Sequence, residues 1–590
     1  MKRGSVLPLA CLLCSAPQLA SQSATQENAA QQAVVQKSSA HDRSEQTLSS
    51  IKPSKRLSKG VTKLHPVKPL NYPKGPKAFG ASHLNPAMVQ RKVDHPFGSP
   101  HGASQSGSAN NTKEKSGAPR GSSFVNEPAG PSGSANPSAS PVFGGFEGIG
   151  DNSSADRNYA VDSAPSDTNG AVGVKHFVEW VNETLAIFDK ASGNVLVGPI
   201  PGNQIWKNFA RTPNGDLHPC EKDNDGDPIV LYDKIHDRWI LSQFAIDQEP
   251  FYECIAVSTS GDPTGTYNRY AYEFDKFNDY PKLAIWHDGY YATFNMFEGQ
   301  TQVGTKICAI NSAKMIAGDE GQIICVDLPV AGGVGGILAA DLDGTPASDK
   351  PSEFLMNLGF NELQLWTLAV DWQHGTGSLQ GPKHIKVEPF KGACEDRNGG
   401  SCVSQPGRAP LLEALGDRLM YRLQYRHFSD HEALVVNHTA EVPIAANQFT
   451  TGIRWYEIRD LRAAQPSVYQ QRTYAPDTNF RWMGSIAADK QGNLLLGYSL
   501  SGTRVYPSIR FAGRFASDPL GELSAEEKVV DGAGTQVAGD RWGDYSSVSI
   551  DPVDDCTFWF AAQYQKDKGS PNAYNWRTYI RSVRFPSCKE

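Results

Sequence analysis

Acidic and basic side chains stand at the openings of a set of repeated segments, and their types are those that bind or cleave polyhydroxylated ligands. Asp167 opens DTNGAVG, Asp227 ends DNDGD, Asp279 and Tyr280 lie in NDYPK, and Asp417 and Arg418 lie in LGDRLMY. Arg481 opens RWMGSIA, and Arg541 and Asp544 lie in RWGDYSS. Arg makes forked bonds to carboxylates, and Asp accepts from hydroxyls. Hydrolysis of a glycosidic bond needs two carboxyls, or a Tyr with an acid, flanking that bond, one of them kept protonated by its surroundings. These types nominate Asp227, Asp279 and Asp544 for catalysis, with Tyr280 as the other nucleophile. Asp167, Arg418, Arg481 and Arg541 are nominated for substrate binding. A lyase would instead place a His or Tyr base beside a uronic carboxylate, and His427 or His431 could serve. Each residue also has a structural use, since Asp before a strand caps turns and Arg beside Trp stacks.

DNDGD puts Asp223, Asp225 and Asp227 at alternate positions around a Gly, a spacing by which a short loop wraps oxygen ligands about a hard cation such as Ca2+. Asp227 is thus claimed by two roles, and one of them must give way. DLDGT at Asp341 is a weaker version of the same pattern. HEALVVNH at His431 lacks the i, i+4 histidines of a zinc protease, and no phosphate loop, nucleophile elbow or dinucleotide fingerprint stands in a fitting context.

Residues this far apart can share a site only if the fold gathers them. The segments that carry them repeat one pattern: a short alternating strand, a turn with Asp or Gly, then a second apolar strand. GDPIVLYDKIHDRWILSQF from Gly226, NDYPKLAIWHDGYYATFN from Asn278 and RWMGSIAADKQGNLLLGYS from Arg481 are clear copies. Units recurring roughly every 50 to 65 residues are the sequence mark of a β-propeller, whose inner strands converge on one axis. An all-β propeller is therefore expected over 141–590. At about 60 residues per blade it would have seven blades, with six or eight also fitting. Trp366, Trp372, Trp455, Trp482, Trp542 and Trp559 sit in strand-like alternation and read as packing between blades. The terminal WRTYIRSVRFPSC should pair near Phe143 to Gly150 and close the ring.

Ahead of this domain, residues 1–20 combine Lys2 and Arg3 with an apolar run and then small residues, the pattern of a secretory signal peptide. Residues 21–140 are rich in Ser, Ala, Pro, Gly, Gln and Lys and read as a disordered spacer. This spacer holds 15 Lys and Arg against 6 Asp and Glu, so the net charge of −7 leaves the globular part strongly acidic. That excludes a nucleic-acid-binding surface there. No later segment has the ~18 continuous apolar residues of a membrane span. Cys220, Cys254, Cys308, Cys325, Cys394, Cys402, Cys556 and Cys588 follow the signal segment, an even count that favours disulfides in an exported chain. Sequential pairing is the economical one, while sequence alone leaves other connectivities open.

From about Phe146 onward the chain resembles a group of secreted bacterial propeller proteins that carry DTNGAVG, NDGDPIVLYD, NDYPK, RWMGSIA and RWGDYSS, at Asp167, Asn224, Asn278, Arg481 and Arg541 here. In general look it is also similar to the sialidase-like superfamily of BNR type. That likeness implies arginines holding a substrate carboxylate, a Tyr with an acid as nucleophile and an Asp as acid/base. The chain departs from the superfamily in lacking a strict S-x-D-x-G-x-T-W box; DKASGNV at Asp189 and DKQGNLL at Asp489 come nearest.

The expectation is an exported, monomeric propeller acting on extracellular polysaccharide or glycoconjugate, as a glycoside hydrolase with an axial cleft. Its rival is a non-catalytic propeller that binds a polysaccharide, a protein or an envelope component, with Arg422, Gln424 and Arg426 on one strand face as part of the surface.

Overall fold

The computed structural model describes residues 163–329, 335–395, 400–407, 409–568 and 574–589, with strands at 46–48, 61–63 and 142–150. Its contacts divide the chain into 1–47 and 48–590, and the fold below belongs to the second unit. The expected signal segment lies outside the described residues. So does the spacer, apart from the short strands Gln46–Leu48 and Val61–Lys63.

Alternating apolar residues build antiparallel meanders, one after another along the chain. The first runs through Asn169–Val172, His176–Val181, Thr184–Asp189 and Val195–Pro201. The second spans 229–274, the third 277–329, the fourth 338–386, the fifth 420–474 and the sixth 480–530. The closing meander takes Ser547–Ile550, Thr557–Gln565 and Trp576–Arg584 from the C-terminal end and its outer strand, Val142–Gly150, from far upstream. The expected closure is therefore present, with Phe143 opposite Val583 and Phe146 opposite Ile580. The first strands of consecutive meanders contact one another in an unbroken circuit that returns from the last to the first. This is a β-propeller with the inner strands around one axis.

Each inner strand leaves one edge without a ladder partner, and a buried N–H left unbonded costs about 1–3 kcal/mol. Side chains of neighbouring meanders satisfy these edges. Asn169 Oδ1 accepts from Val230 N at 2.8 Å, Asp341 Oδ1 from Ile285 N at 3.0 Å and Ser485 Oγ from Val548 N at 3.0 Å. Ser547 Oγ accepts from Gly170 N at 3.1 Å, which joins the closing meander to the first. Gln424 both accepts from Ala488 N and donates to Ala488 O. The fourth and fifth meanders pair directly instead, in parallel, from Ala340 opposite Leu423 to Asp343 opposite Arg426.

Between the sheets the large aromatics are buried as expected. Trp455, Trp482 and Trp542 are fully enclosed, with Trp482 and Trp542 5.7 Å apart. Trp366 and Trp559 are buried, and Trp372 packs half-buried against the main core. The disulfides are sequential: Cys220–Cys254, Cys308–Cys325, Cys394–Cys402 and Cys556–Cys588. No helix among the described residues is long and apolar enough to cross a membrane.

Glu179 pins the closing strand to the first meander. Its Oε2 accepts from Ile149 N at 2.8 Å, and the chain can approach this closely because residue 148 is Gly; a Cβ there would sit 2.4 Å from that oxygen. Burial raises the Glu179 carboxyl from 4.5 to about 7. A raised acid stabilises the fold below its unfolded value, and that contribution is lost as pH climbs through the folded one. Glu179→Gln keeps the acceptor and removes the charge. Its melting temperature should match the wild type at pH 4 and exceed it at pH 8, by the equivalent of up to about 3 kcal/mol.

Candidate functional site at the axial mouth

The residue just ahead of, or at the start of, an inner strand recurrently takes a left-handed backbone. Asp167, Asp227, Tyr280, Met483 and Asp544 have φ of 45°, 47°, 54°, 50° and 55°. Asp visits this region at modest cost, whereas Tyr and Met pay more for it, and such strain collects at functional sites. The kink swings each segment in from the outer loop and delivers its side chain to the end of the axis where the inner strands begin.

Asp167, Asp227, Asp279 and Asp544 meet there around Lys282, and all five are buried. The Lys282 ammonium lies 3.5 Å from the ring centre of Tyr280 and 4.1 Å from that of Tyr545, and donates to Pro281 O at 2.9 Å. Burial brings Lys282 down to about 8, although Asp227, Asp167, Asp544 and Asp279 all pull the other way. Burial, then Asp544 and Asp227, hold the Asp167 carboxyl well above the usual carboxylate range.

Outward of this cluster a narrow hole of about 20 Å³ is lined by Asp279, Tyr280, Glu413, Leu415, Arg418, Arg541 and Asp544. It has room for about one water. Arg418 forks onto Asp417 with two bonds of 2.9 Å and rests 4.8 Å from the Tyr280 ring. Arg541 bridges two carboxyls: its Nη2 donates to Asp544 Oδ2 at 2.5 Å, and its Nε is ion-paired with Glu413 Oε2 at 2.6 Å. Burial pushes Glu413 up to about 7; Arg541 opposes the rise and Asp544 adds to it.

The structure thus brings together seven of the eight residues the sequence nominated for catalysis or substrate binding, Asp167, Asp227, Asp279, Tyr280, Arg418, Arg541 and Asp544, with Asp417 beside Arg418. Arg481 does not join them, and this corrects the sequence reading. Its guanidinium pairs with Asp477 and Glu526, each at 2.8 Å, against the sheet of the sixth meander. Arg541, which opens the matching phrase RWGDYSS, does reach the mouth, whereas Asp477 and Glu526 hold Arg481 at its own sheet. The calcium loop is also not assembled. Asp223 pairs with Lys222 at 3.0 Å, Asp225 accepts from Ile246 N at 2.7 Å, and Asp227 faces Lys282. No group of three or more His, Cys, Asp or Glu among the described residues is arranged to hold a metal ion.

Arg422, Gln424 and Arg426 do not form one surface either, since only Arg426 lines a groove. Arg422 is buried further along the axis on Asp341 (2.7 Å) and Asp343 (2.6 Å), and Arg426 forks onto Asp555. Asp189 and Asp489 form hairpin turns, accepting from the Ser192 amide and from the Gln491 and Asn493 amides.

Lys282, Tyr545 and Glu413 were not nominated. Lys282 and Tyr545 lie inside NDYPK and RWGDYSS, beside residues that were. Glu413 comes from the small sheet Ser401–Val403 and Leu412–Glu413, outside the repeats, and its amide bonds Asp540 O to hold it over the mouth.

Neither a protein-family model nor a curated protein matches the chain. Solved structures similar to it include an endo-arabinase from Bacteroides thetaiotaomicron, 14% identical over 50% of this chain and 95% of that one, with a TM-score of 0.26. A polysaccharide lyase of family PL25, an ulvan lyase, is 10% identical over 68% and 90%, with a TM-score of 0.31. The N-terminal domain of Nup159 is 10% identical over 71% and 90%, with a TM-score of 0.30. At these values the likeness carries no argument about activity, and the fold rests on the sheets themselves.

Lys282→Met would leave the buried carboxyls of Asp167, Asp227 and Asp279 without their shared cation, while Asp544 keeps Arg541. Such a loss costs about 3–5 kcal/mol at neutral pH. The deficit should shrink as pH falls toward 4, because the stranded carboxyls then protonate. Denaturant midpoints of wild type and variant at pH 4, 5.5 and 7.5 would measure it, and a pH-independent difference would contradict the arrangement.

Proposed function

We propose that this protein is a seven-bladed propeller, one blade per meander, that acts on extracellular glycan as a glycoside hydrolase at the axial mouth. The observation that carries this reading is the pair of carboxyls held by one arginine. Arg541 contacts both Glu413 and Asp544, and burial raises Glu413 to about 7. Environments that treat two neighbouring carboxyls differently are what separates an acid from its partner in glycoside hydrolysis. Glu413 then protonates the leaving oxygen, and Asp544, or Asp279 with Tyr280, works on the other side of the bond. Arg418 and Arg541 orient the substrate. Asp167 and Asp227 lie behind, where they hold Lys282 and do not line the hole. The disulfides suit maturation in an oxidising compartment, in keeping with export.

A second reading, a non-catalytic binder, is favoured by the size of the hole, about 20 Å³, which admits no sugar ring. The full-length protein incubated with neutral, amino-sugar and uronate-containing polysaccharides should release new reducing ends from at least one. Activity should fall as pH rises through 7 and Glu413 deprotonates. Glu413→Gln and Asp544→Asn should each lower turnover at least 100-fold with the melting temperature retained. No reducing ends across the panel, with firm retention on one polymer, would instead establish the binder.

A further inference from the structure

A much roomier cavity lies elsewhere. A groove of about 730 Å³ runs between the fifth and sixth meanders, where the inner strands Met420–His427 and Phe480–Ala488 end, whereas the axial mouth lies where they begin. That volume is in the range of ligand sites. None of its lining residues belongs to the axial hole.

Cations dominate its wall. Arg426, Arg459, Lys490 and Arg514 line it, in a globular part that is acidic as a whole. Two of the acids opposite are already engaged: Asp555 by Arg426, and Glu457 by Arg459 at 2.6 Å and by Gln470. Arg426 and Arg514 are 2% and 3% exposed, yet the Nε of each has no hydrogen-bond partner. These two back the wall, Arg514 Nη2 donating to Asp518 O at 2.7 Å, while the part-exposed Arg459 and Lys490 face the groove. Ring faces complete the wall: Arg459 lies flat over Tyr469 at 3.3 Å, and Phe428 stacks on His431 at 4.5 Å. Thr345, Ser429, Gln470 and Gln491 add hydroxyls and amides between small and apolar residues, a mixture that suits a hydroxyl-bearing ligand. The chain's own segment 21–140 is basic and would be repelled.

We propose that this groove is a second site, separate from the axial mouth, that binds a carboxylate-bearing polysaccharide. Lys490 and the part-exposed Arg459 attract the uronate carboxylates, and the amides and hydroxyls take the sugar hydroxyls.

Affinity electrophoresis of the full-length protein in gels containing polygalacturonate, neutral galactan or poly-glutamate tests this. Retention is expected on polygalacturonate alone and should decline as NaCl rises from 50 to 500 mM. The double variant Arg459→Ala/Lys490→Ala should bind polygalacturonate at least 10-fold more weakly at an unchanged melting temperature. Should the double variant melt early, Lys490→Ala alone should still weaken binding about threefold. Equal retention on galactan, equal retention on poly-glutamate, or a variant that binds as tightly as the wild type would each overturn the proposal.

Discussion

The free edges of the inner strands are the constraint on which the ring depends. An antiparallel meander satisfies its own backbone everywhere except at its first and last strand, and here the first strand lines the axis, away from bulk solvent. The meanders answer with side chains. Asn169, Asp341, Gln424, Ser485 and Ser547 each bond the backbone of a neighbour's inner strand, and the parallel pairing of 340–343 with 423–426 serves the remaining junction in the same way. Polar residues at the axis are thus required by the fold before any ligand is considered, and their abundance alone says little about chemistry.

The mouth differs from the rest of the axis in kind. Deeper in, Arg422 is matched by Asp341 and Asp343, and Lys234 also pairs with Asp343. At the mouth, four aspartates crowd one lysine, and two carboxyls share Arg541 while one of them is raised to about 7. Left-handed kinks at Asp167, Asp227, Tyr280 and Asp544 keep that crowding in place. Strain and like-charge contact in one spot exceed what closing a ring demands.

Two concave features divide the molecule's polar resources. The axial hole is small and chemically tense, fit for a few reacting atoms. The groove between the fifth and sixth meanders is wide and cationic, fit for a length of chain. A propeller permits both because its loops at the two ends of the strands vary independently while the sheets stay fixed.

Periodicity by itself determined the all-β class, the propeller, the closing pairing of Phe143 to Gly150 with the C-terminal strand, and the aromatic packing. Each follows from alternation and repeat length, which are local properties of the chain. The repeat openings also announced Asp167, Asp279, Tyr280 and Asp544, because corresponding positions in successive repeats must come to corresponding places around an axis. Only the tertiary structure decided which residue of an opening faces inward. Arg481 and Arg541 open matching phrases, yet Asp477 and Glu526 keep Arg481 on its own sheet while Arg541 reaches the mouth, and alternation cannot register that difference. Glu413, borne on an insertion outside the repeats, and the groove, built from two meanders and their turns, were beyond sequence for the same reason: their partners are set by how separate sheets meet.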